Sequence, residues 1–193
     1  MRAVWHGLMH DGKLYELLLR IDVELWERAR SEGCRHCGGP LHAAHYPRKP
    51  RGGPEQLPEG YDRRLSLCCA HEGCRRRSTP PSVRFLGRRV YLGAVMALVS
   101  VLQNGPKARP VGQLRELLGV SRRTIRRWCR WWTKGFVQTR LWRAERGRVM
   151  PAVREESLPG SLLERFVGEP LEQLVAMLRW LSPLTLSEPE RSG

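Results

Sequence analysis

Residues 111–130, VGQLRELLGVSRRTIRRWCR, have the apolar spacing of two short helices joined by a tight turn. Leu114 and Leu118 lie four residues apart in the first segment, and Ile125 and Trp128 lie three residues apart in the second. Residues at these spacings share one face of a helix. The pattern therefore predicts two helices that pack against each other through their apolar faces.

The turn between these segments also has the residues that a tight connection needs. Gly119 stands where the first helix must end, a position that commonly requires a positive φ. Val120 fills the turn, and Ser121 is a favourable N-cap for the second helix. This layout is typical of a helix-turn-helix, with one departure, because Arg115 occupies an inter-helix position that usually takes a small residue.

The second segment is rich in arginine outside its apolar face. We expect it to lie in a DNA major groove, as recognition helices do. An ordinary αα-hairpin has the same stop and cap residues, so the spacing alone leaves both interpretations open. The arginines are Arg122, Arg123, Arg126, Arg127 and Arg130.

The charge of the chain favours nucleic acid as the partner. Its formal net charge is +15 and its pI is near 10.7. Residues 105–148 contain thirteen Lys or Arg against two Glu, a net charge of +11 around the predicted helix-turn-helix. Such a concentration of one sign favours binding to a polyanion.

The expected DNA contacts fall into two groups. Arg122, Arg123 and Arg126 are candidates for bidentate contacts to guanine, with Thr124 as a base or phosphate contact. Phosphate contacts are expected from Arg75, Arg76, Arg77, Lys107, Arg109, Arg140 and Arg143, and Arg127 and Arg130 complete the DNA-binding set.

Five of the six cysteines lie in one window, as Cys34-x2-Cys37 followed by Cys68, Cys69 and Cys74. Two close pairs separated by a few dozen residues are typical of a four-thiolate zinc site. We expect one structural Zn²⁺, which folds a zinc ribbon and has no open coordination position for catalysis. Cys129 stands alone in the predicted recognition helix, where a small buried hydrophobic residue is the better interpretation.

Cys68 and Cys69 are alternatives for the same ligand position. In an extended segment Leu65, Leu67 and Cys69 would share the apolar face, whereas Cys68 would lie on the other face. This alternation favours Cys69, with Cys68 as the alternative and His71 as a weaker substitute.

The remaining segments complete an expected fold that is mainly α with a small β zinc ribbon, a trihelical helix-turn-helix core and C-terminal helices. Residues 14–29 are expected to be helical, with a break near Ile21 where Asp22 would cap a second helix. Val90 to Leu102 reads as a buried helix, too short for the ~20 residues of a membrane span. Trp132, unlike Trp128, is expected to point away from the core face.

Composition shifts predict four regions: residues 1–32, an N-terminal helical segment; 33–82, the zinc ribbon with a basic Pro/Gly-rich loop; 83–148, the helix-turn-helix domain; and 149–193, the C-terminal helices and tail. In the last region Ser161 and Glu164 predict a capping box. An apolar stripe predicts a further helix over Leu171 to Leu181. No signal-peptide core is evident, so we expect a cytoplasmic protein.

A thiolate zinc ribbon leading into a helix-turn-helix resembles the N-terminal DNA-binding region of bacterial insertion-sequence transposases. Cys34-x2-Cys37, Cys69-x4-Cys74 and the helices of residues 111–130 carry the resemblance, which covers about Gly33 to Lys134. Such transposases continue into a nuclease domain with three metal-binding carboxylates. The three aspartates of this chain do not form that pattern. The resemblance therefore implies terminal-repeat or operator recognition by a nucleoid-associated accessory protein of a bacterial mobile element, without strand cleavage.

We therefore expect a sequence-specific, non-enzymatic protein that binds double-stranded DNA. Further interaction is expected with a second copy of the chain or with a transposase. We expect no binding to a membrane and no small-molecule substrate. Two alternatives remain open. One is a DNA-targeting subunit whose catalytic domain, of transposase or recombinase type, lies on another chain. The other is an RNA-binding zinc-ribbon protein, which bulk phosphate attraction alone does not distinguish from a DNA-binding one.

Overall fold

The computed structural model describes residues 7–50, 53–86, 93–104 and 119–186. Within these ranges the chain is mostly helical and has two small antiparallel sheets, which confirms the expected combination of helices with a little β-structure. The first helix of the predicted helix-turn-helix, in residues 111–118, lies outside the described ranges. Lys107 and Arg109 lie outside them as well.

The elements follow one another with short connections. The α-helices of the described ranges are α1 (Gly12–Ser31), α2 (Gly93–Asn104), α3 (Arg122–Arg130), α4 (Arg140–Glu145), α5 (Gly160–Leu163) and α6 (Pro170–Leu181). A π-helical turn, Trp131–Gly135, continues α3, and 3-10 turns follow at Phe136–Gln138, Arg146–Arg148, Glu155–Ser157 and Ser182–Thr185. The strands are β1 (Leu41–Ala43), β2 (Tyr46–Pro47), β3 (Arg63–Arg64), β4 (Leu67–Cys69) and β5 (Arg77–Ser78).

All the strands lie between α1 and α2 in the chain. The larger sheet has the order β1-β4-β5, and the smaller sheet pairs β2 with β3. Leu41 lies opposite Cys69 in the first pair of strands, and Tyr46 lies opposite Arg64 in the smaller sheet. We call residues 33–78, which contain both sheets, the cysteine module.

Helix α1 runs without a break, so the expected interruption near Ile21 is wrong. Asp11 caps its start by accepting a hydrogen bond from the Lys13 N–H at 2.9 Å. Asp22 caps nothing, because its carboxylate is buried and accepts a hydrogen bond from the Arg84 side chain. An acidic residue after an apolar run is typical of a helix start, but Asp22 lies inside the helix and bonds to Arg84 in a distant part of the chain.

The buried helix expected at residues 90–102 is observed as α2. Every residue from Ala94 to Ser100 is buried, together with Leu102. The Ser100 hydroxyl donates to the Met96 carbonyl at 2.8 Å, which satisfies the polar group inside the helix. This helix packs against α3, α5 and α6 and forms the centre of the main core.

Helix α3 begins as the sequence predicts. Gly119 has φ +60°, and the Ser121 hydroxyl accepts a hydrogen bond from the Thr124 N–H at 3.2 Å. Ile125 and Trp128 are fully buried. The positive φ of Gly119 and the cap and packing face of the second helix are therefore confirmed, whereas the first helix of the predicted motif, and its end, lie outside the described residues.

Trp132 is buried, and the expectation that it points away from the core is wrong. It lies four residues after Trp128, so an α-helical register already brings the two side chains to one face. Phe136, four residues further on, is also buried, and its ring centroid lies 5.2 Å from that of Trp132. The helical path continues through the π-helical turn and extends the apolar stripe of α3 by one more turn.

The C-terminal region packs onto the main core. In α6, Leu174, Leu178 and Leu181 are buried, as the apolar stripe predicts. The capping box lies at Glu169 and Glu172, at the start of this helix. Ser161 does not form one, because it lies inside α5 and its hydroxyl donates to the Arg154 carbonyl at 2.6 Å.

Candidate metal centre

The first cysteine pair lies in a tight turn directly after α1. The Cys34 N–H donates to the Gly39 carbonyl at 2.9 Å, and the Gly38 N–H donates to the Cys34 carbonyl at 2.7 Å. Gly38 has φ +71°, a conformation that L side chains rarely adopt. The turn therefore folds the chain back on itself and brings Cys34 and Cys37 to the same side.

The second pair lies at the end of β4 and in the turn that leads to β5. The Cys74 N–H donates to the His71 carbonyl at 3.0 Å. Arg75, which follows Cys74 as Gly38 follows Cys37, has φ +45°. Each pair is thus followed by a residue of left-handed conformation, which is Gly38 in the first turn and Arg75 in the second.

The two turns meet and bring four sulfur atoms together. The Sγ atoms of Cys34, Cys37, Cys69 and Cys74 all lie within 4.8 Å of one another. The Cys34 and Cys74 sulfurs are 3.7 Å apart, and those of Cys37 and Cys69 are 3.4 Å apart. A Zn²⁺ ion bonded to four sulfurs at about 2.3 Å would separate them by about 3.8 Å, so the cluster has nearly the right size for a tetrahedral metal ion.

Cys69, and not Cys68, belongs to the cluster. The pairing of β4 places Cys68 opposite His42 and Arg77, and residues directly opposite one another point to the same side of a sheet. The Cys68 thiol lies on that outer side and donates to the Arg75 carbonyl at 3.4 Å. Strand alternation, on which the sequence argument relied, accounts for this arrangement.

Backbone groups and burial act on the thiols in opposite directions. Hydrogen bonds from the backbone of His36 and Cys37 lower the pKa of Cys34 to about 7. Burial raises the pKa of Cys69 to about 12. A cation among the sulfurs would offset the cost of burying the Cys69 thiolate, so this donor set fits a thiophilic metal ion.

The cluster shares a small core with α1. The sulfurs of Cys34 and Cys69 are packed with Leu41 and Leu67, and Trp26 of α1 lies against this core. The Trp26 indole N–H also donates to the Ser66 carbonyl of the module at 3.2 Å. Few side chains are available for this core, so the sulfurs and the ion that they would hold form a large part of it.

The nearby histidines lie outside the sulfur cluster. His36 is exposed, and its Nδ1 lies 3.2 Å from an Arg76 guanidinium nitrogen. The His45 ring packs against Trp26 with centroids 5.3 Å apart, and its Nδ1 accepts a hydrogen bond from the Ser66 N–H. His71, the weaker substitute ligand, is exposed in the second turn.

Most of the predicted DNA-contacting side chains reach the surface. In α3 the five arginines are exposed, while Thr124 is half-buried. The expected phosphate contacts within the described ranges, Arg75, Arg76, Arg77, Arg140 and Arg143, are exposed as well. Cys129 is half-buried in α3, and burial raises its pKa, in agreement with a packing role.

Two arrangements in the structure were missed by the sequence argument. Asp22 and Arg84 form a buried ion pair, and Arg48 and Arg77 both stack on the ring of Tyr46. The basic character of residues 46–51 was the only sign of the second arrangement. Within the described ranges, no helix is both long and apolar enough to span a bilayer.

Comparison of the chain with protein-family models, with curated proteins and with solved structures found no match.

Proposed function

We propose that this chain is a sequence-specific, non-enzymatic protein that binds double-stranded DNA and is stabilised by one structural Zn²⁺. The observation that carries the proposal is the two-sided character of α3. Ile125 and Trp128 fix one side of the helix in the core, and the other sides expose five arginines. A rigidly anchored helix with an arginine-rich outer surface has the form of a major-groove recognition helix.

Three arginines of α3 have no ion-pair partner within the described ranges. No carboxylate of those ranges lies within salt-bridge distance of Arg122, Arg123 or Arg126, so the described residues leave these guanidinium groups open to a ligand. Paired N–H groups of guanidinium match the O6 and N7 acceptors of guanine in the major groove. These three side chains would therefore read bases, with Thr124 beside them.

The rest of the basic surface would hold the phosphate backbone. Arg127, Arg130, Arg140, Arg143 and the run Arg75 to Arg77 would contribute charge there, as would Lys107 and Arg109 beyond the described ranges. Such contacts add affinity and strong salt dependence, but no base preference. The net charge of +15 supports this division of roles.

The metal would serve the fold rather than a reaction. Four thiolates complete a tetrahedral shell and leave no position for a water molecule or substrate. Zn²⁺ would thus hold the two cysteine turns together as a zinc ribbon and fix the module against α1. Recognition of a terminal repeat or an operator, without cleavage, is the role that the resemblance to transposase DNA-binding regions supports.

Selection of bound sequences from a pool of random duplexes tests the proposal. A defined consensus site is expected, and Arg123→Ala or Arg126→Ala should cost about 1–3 kcal/mol and relax the preference at one base position. Arg20→Ala, at an exposed position of α1, is the matched control and should leave the preference unchanged. Equal weakening on all duplexes would contradict the groove assignment, and tighter binding of structured RNA than of any selected duplex would contradict the choice of partner.

A further inference from the structure

The outer face of the cysteine module is organised separately from the sulfur cluster. In the sheet β1-β4-β5, His42, Cys68 and Arg77 are register partners and so lie on one face. The next residues along each strand, such as Leu41 and Cys69, face the small core instead. The face that points away from the metal centre therefore carries polar and basic side chains.

Tyr46 is the organising residue at the edge of this face. The guanidinium carbon of Arg48 lies 5.1 Å from the centroid of the Tyr46 ring, and that of Arg77 lies 5.6 Å from it. An Arg77 Nη1 N–H also donates to the Ala44 carbonyl at 3.1 Å. Stacking and this hydrogen bond restrict side chains that would otherwise lose much rotamer freedom on binding a ligand.

Further exposed arginines flank this surface. Arg63 is the register partner of Pro47, next to Tyr46, and Arg75 lies just before β5. Exposed carboxylates also lie in the module, at Asp62, at Glu55 and Glu59 of the segment that joins β2 to β3, and at Glu72 in the second cysteine turn. Residues 33–78 nevertheless contain nine Lys or Arg against four Asp or Glu, a net charge of +5, so the module suits an anionic ligand.

We propose that Tyr46, Arg48 and Arg77 form a second DNA-contacting surface, which binds the phosphate backbone of the duplex that α3 reads. The inference rests on the proposed function and adds a bipartite mode of binding. The Tyr46 ring is half-buried and carries guanidinium groups, so it positions charge and does not offer a stacking platform for bases. Contacts of this kind are independent of sequence and lengthen the bound stretch of DNA.

The salt dependence of binding to the selected duplex tests this surface. Loss of one phosphate contact lowers the slope of log K against log salt by about 0.9 on B-DNA, so R48A/R77A should lower it by about 1.8 and weaken all duplexes equally. Tyr46→Leu keeps both charges and removes the stacking, so it should weaken binding with little change in the slope. R20A/R154A removes two other exposed arginines and should leave the slope close to that of the wild type.

The possible outcomes separate this inference from the proposed function. Zinc content and the thermal melting temperature, measured for each variant, establish that the module is folded. If the wild type selects a consensus site but R48A/R77A keeps the wild-type slope, the second surface is ruled out and the role of α3 remains. A changed preference at particular base positions in R48A/R77A also overturns the backbone assignment. Absence of duplex binding by the wild-type chain overturns both proposals.

Discussion

Arg84 donates a hydrogen bond from Nε to Asp22 Oδ2 at 2.8 Å, and both side chains are completely buried. The Asp22 carboxylate also accepts from the Ser82 hydroxyl and from the Val83 N–H at 2.7 Å. The other guanidinium nitrogens of Arg84 donate to backbone carbonyls of residues 60, 61 and 63. This network joins α1 to the cysteine module and to the segment that leads into α2.

Removal of one partner of this pair should be strongly destabilising. Asp22→Ala leaves the Arg84 guanidinium buried without a counter-charge, which typically costs about 3–5 kcal/mol. Urea unfolding of the metal-loaded protein measures the loss. Glu32→Ala is the control, because it breaks the exposed Arg35–Glu32 pair at 3.8 Å and should cost less than about 1 kcal/mol. Similar costs for the two variants would show that the buried pair contributes little.

The two adjacent cysteines should differ in their effect on the metal. Cys69→Ser removes a sulfur from the cluster and should abolish stoichiometric zinc binding, whereas Cys68→Ser should retain one zinc per chain. Elemental analysis of the purified variants measures this difference. Chelation of the wild type should likewise unfold residues 33–78, because metal affinity and folding of the module are coupled. Unchanged proteolysis and circular dichroism after chelation would rule out a structural metal.

Acid should destabilise the contact between α1 and the cysteine module, because the His45 ring packs against Trp26 of α1 and is harder to protonate in the folded protein. Burial, together with the positive charge of Arg63, lowers the pKa of His45 below its ordinary value of about 6.5. Between the lowered pKa and about 6.5 the unfolded chain binds a proton that the folded chain does not, so stability is present above about pH 6.5 and declines below it. Urea unfolding between pH 7.5 and 5.5 follows this decline.

His45→Gln is the matched variant for this pH dependence. Gln can accept the hydrogen bond from the Ser66 N–H, yet it does not titrate in this range. Any release of metal in acid would affect both proteins alike. A larger decline in the wild type than in the variant would therefore measure the contribution of His45. Equal declines would show that His45 contributes nothing to the pH dependence.

The two left-handed residues of the cysteine turns should respond oppositely to substitution. At Arg75, glycine relieves a strain of about 1–2 kcal/mol but loses about 0.5–1 kcal/mol more backbone entropy on folding, so Arg75→Gly should be neutral or stabilise by up to about 1.5 kcal/mol. Gly38→Ala introduces the same strain and should be destabilising. Arg76→Gly, at a residue without positive φ, is the control and should be destabilising by about 0.5–1 kcal/mol. Chemical denaturation without DNA measures all three changes.

The features that sequence reasoning predicted are those set by near neighbours in the chain. The positive φ of Gly119 and the cap at Ser121 follow from local chemistry at a helix boundary. The preference for Cys69 over Cys68 follows from strand alternation over a few residues. In each case the residues that decide the outcome lie within one or two turns of one another.

The features that it missed depend on packing between distant segments. Asp22 resembled a helix cap because its partner, Arg84, lies 62 residues later in the chain. The cation–π stacking of Arg77 on Tyr46 joins two strands that do not pair with each other. Trp132 was misassigned because the helical path continues through the π-helical turn, and the apolar residues beyond Trp128 were not treated as one stripe.

The position of the Asp22–Arg84 pair has a consequence for folding during synthesis on the ribosome. Helix α1 emerges first, and the sulfur cluster is complete once Cys74 has been added, 40 residues after Cys34. Until Arg84 follows, the Asp22 carboxylate lacks its cationic partner, so the final burial of that part of α1 has to wait. We expect the four sulfurs to be able to capture a metal ion before the Asp22–Arg84 pair closes, so that metal binding can precede the burial of Asp22.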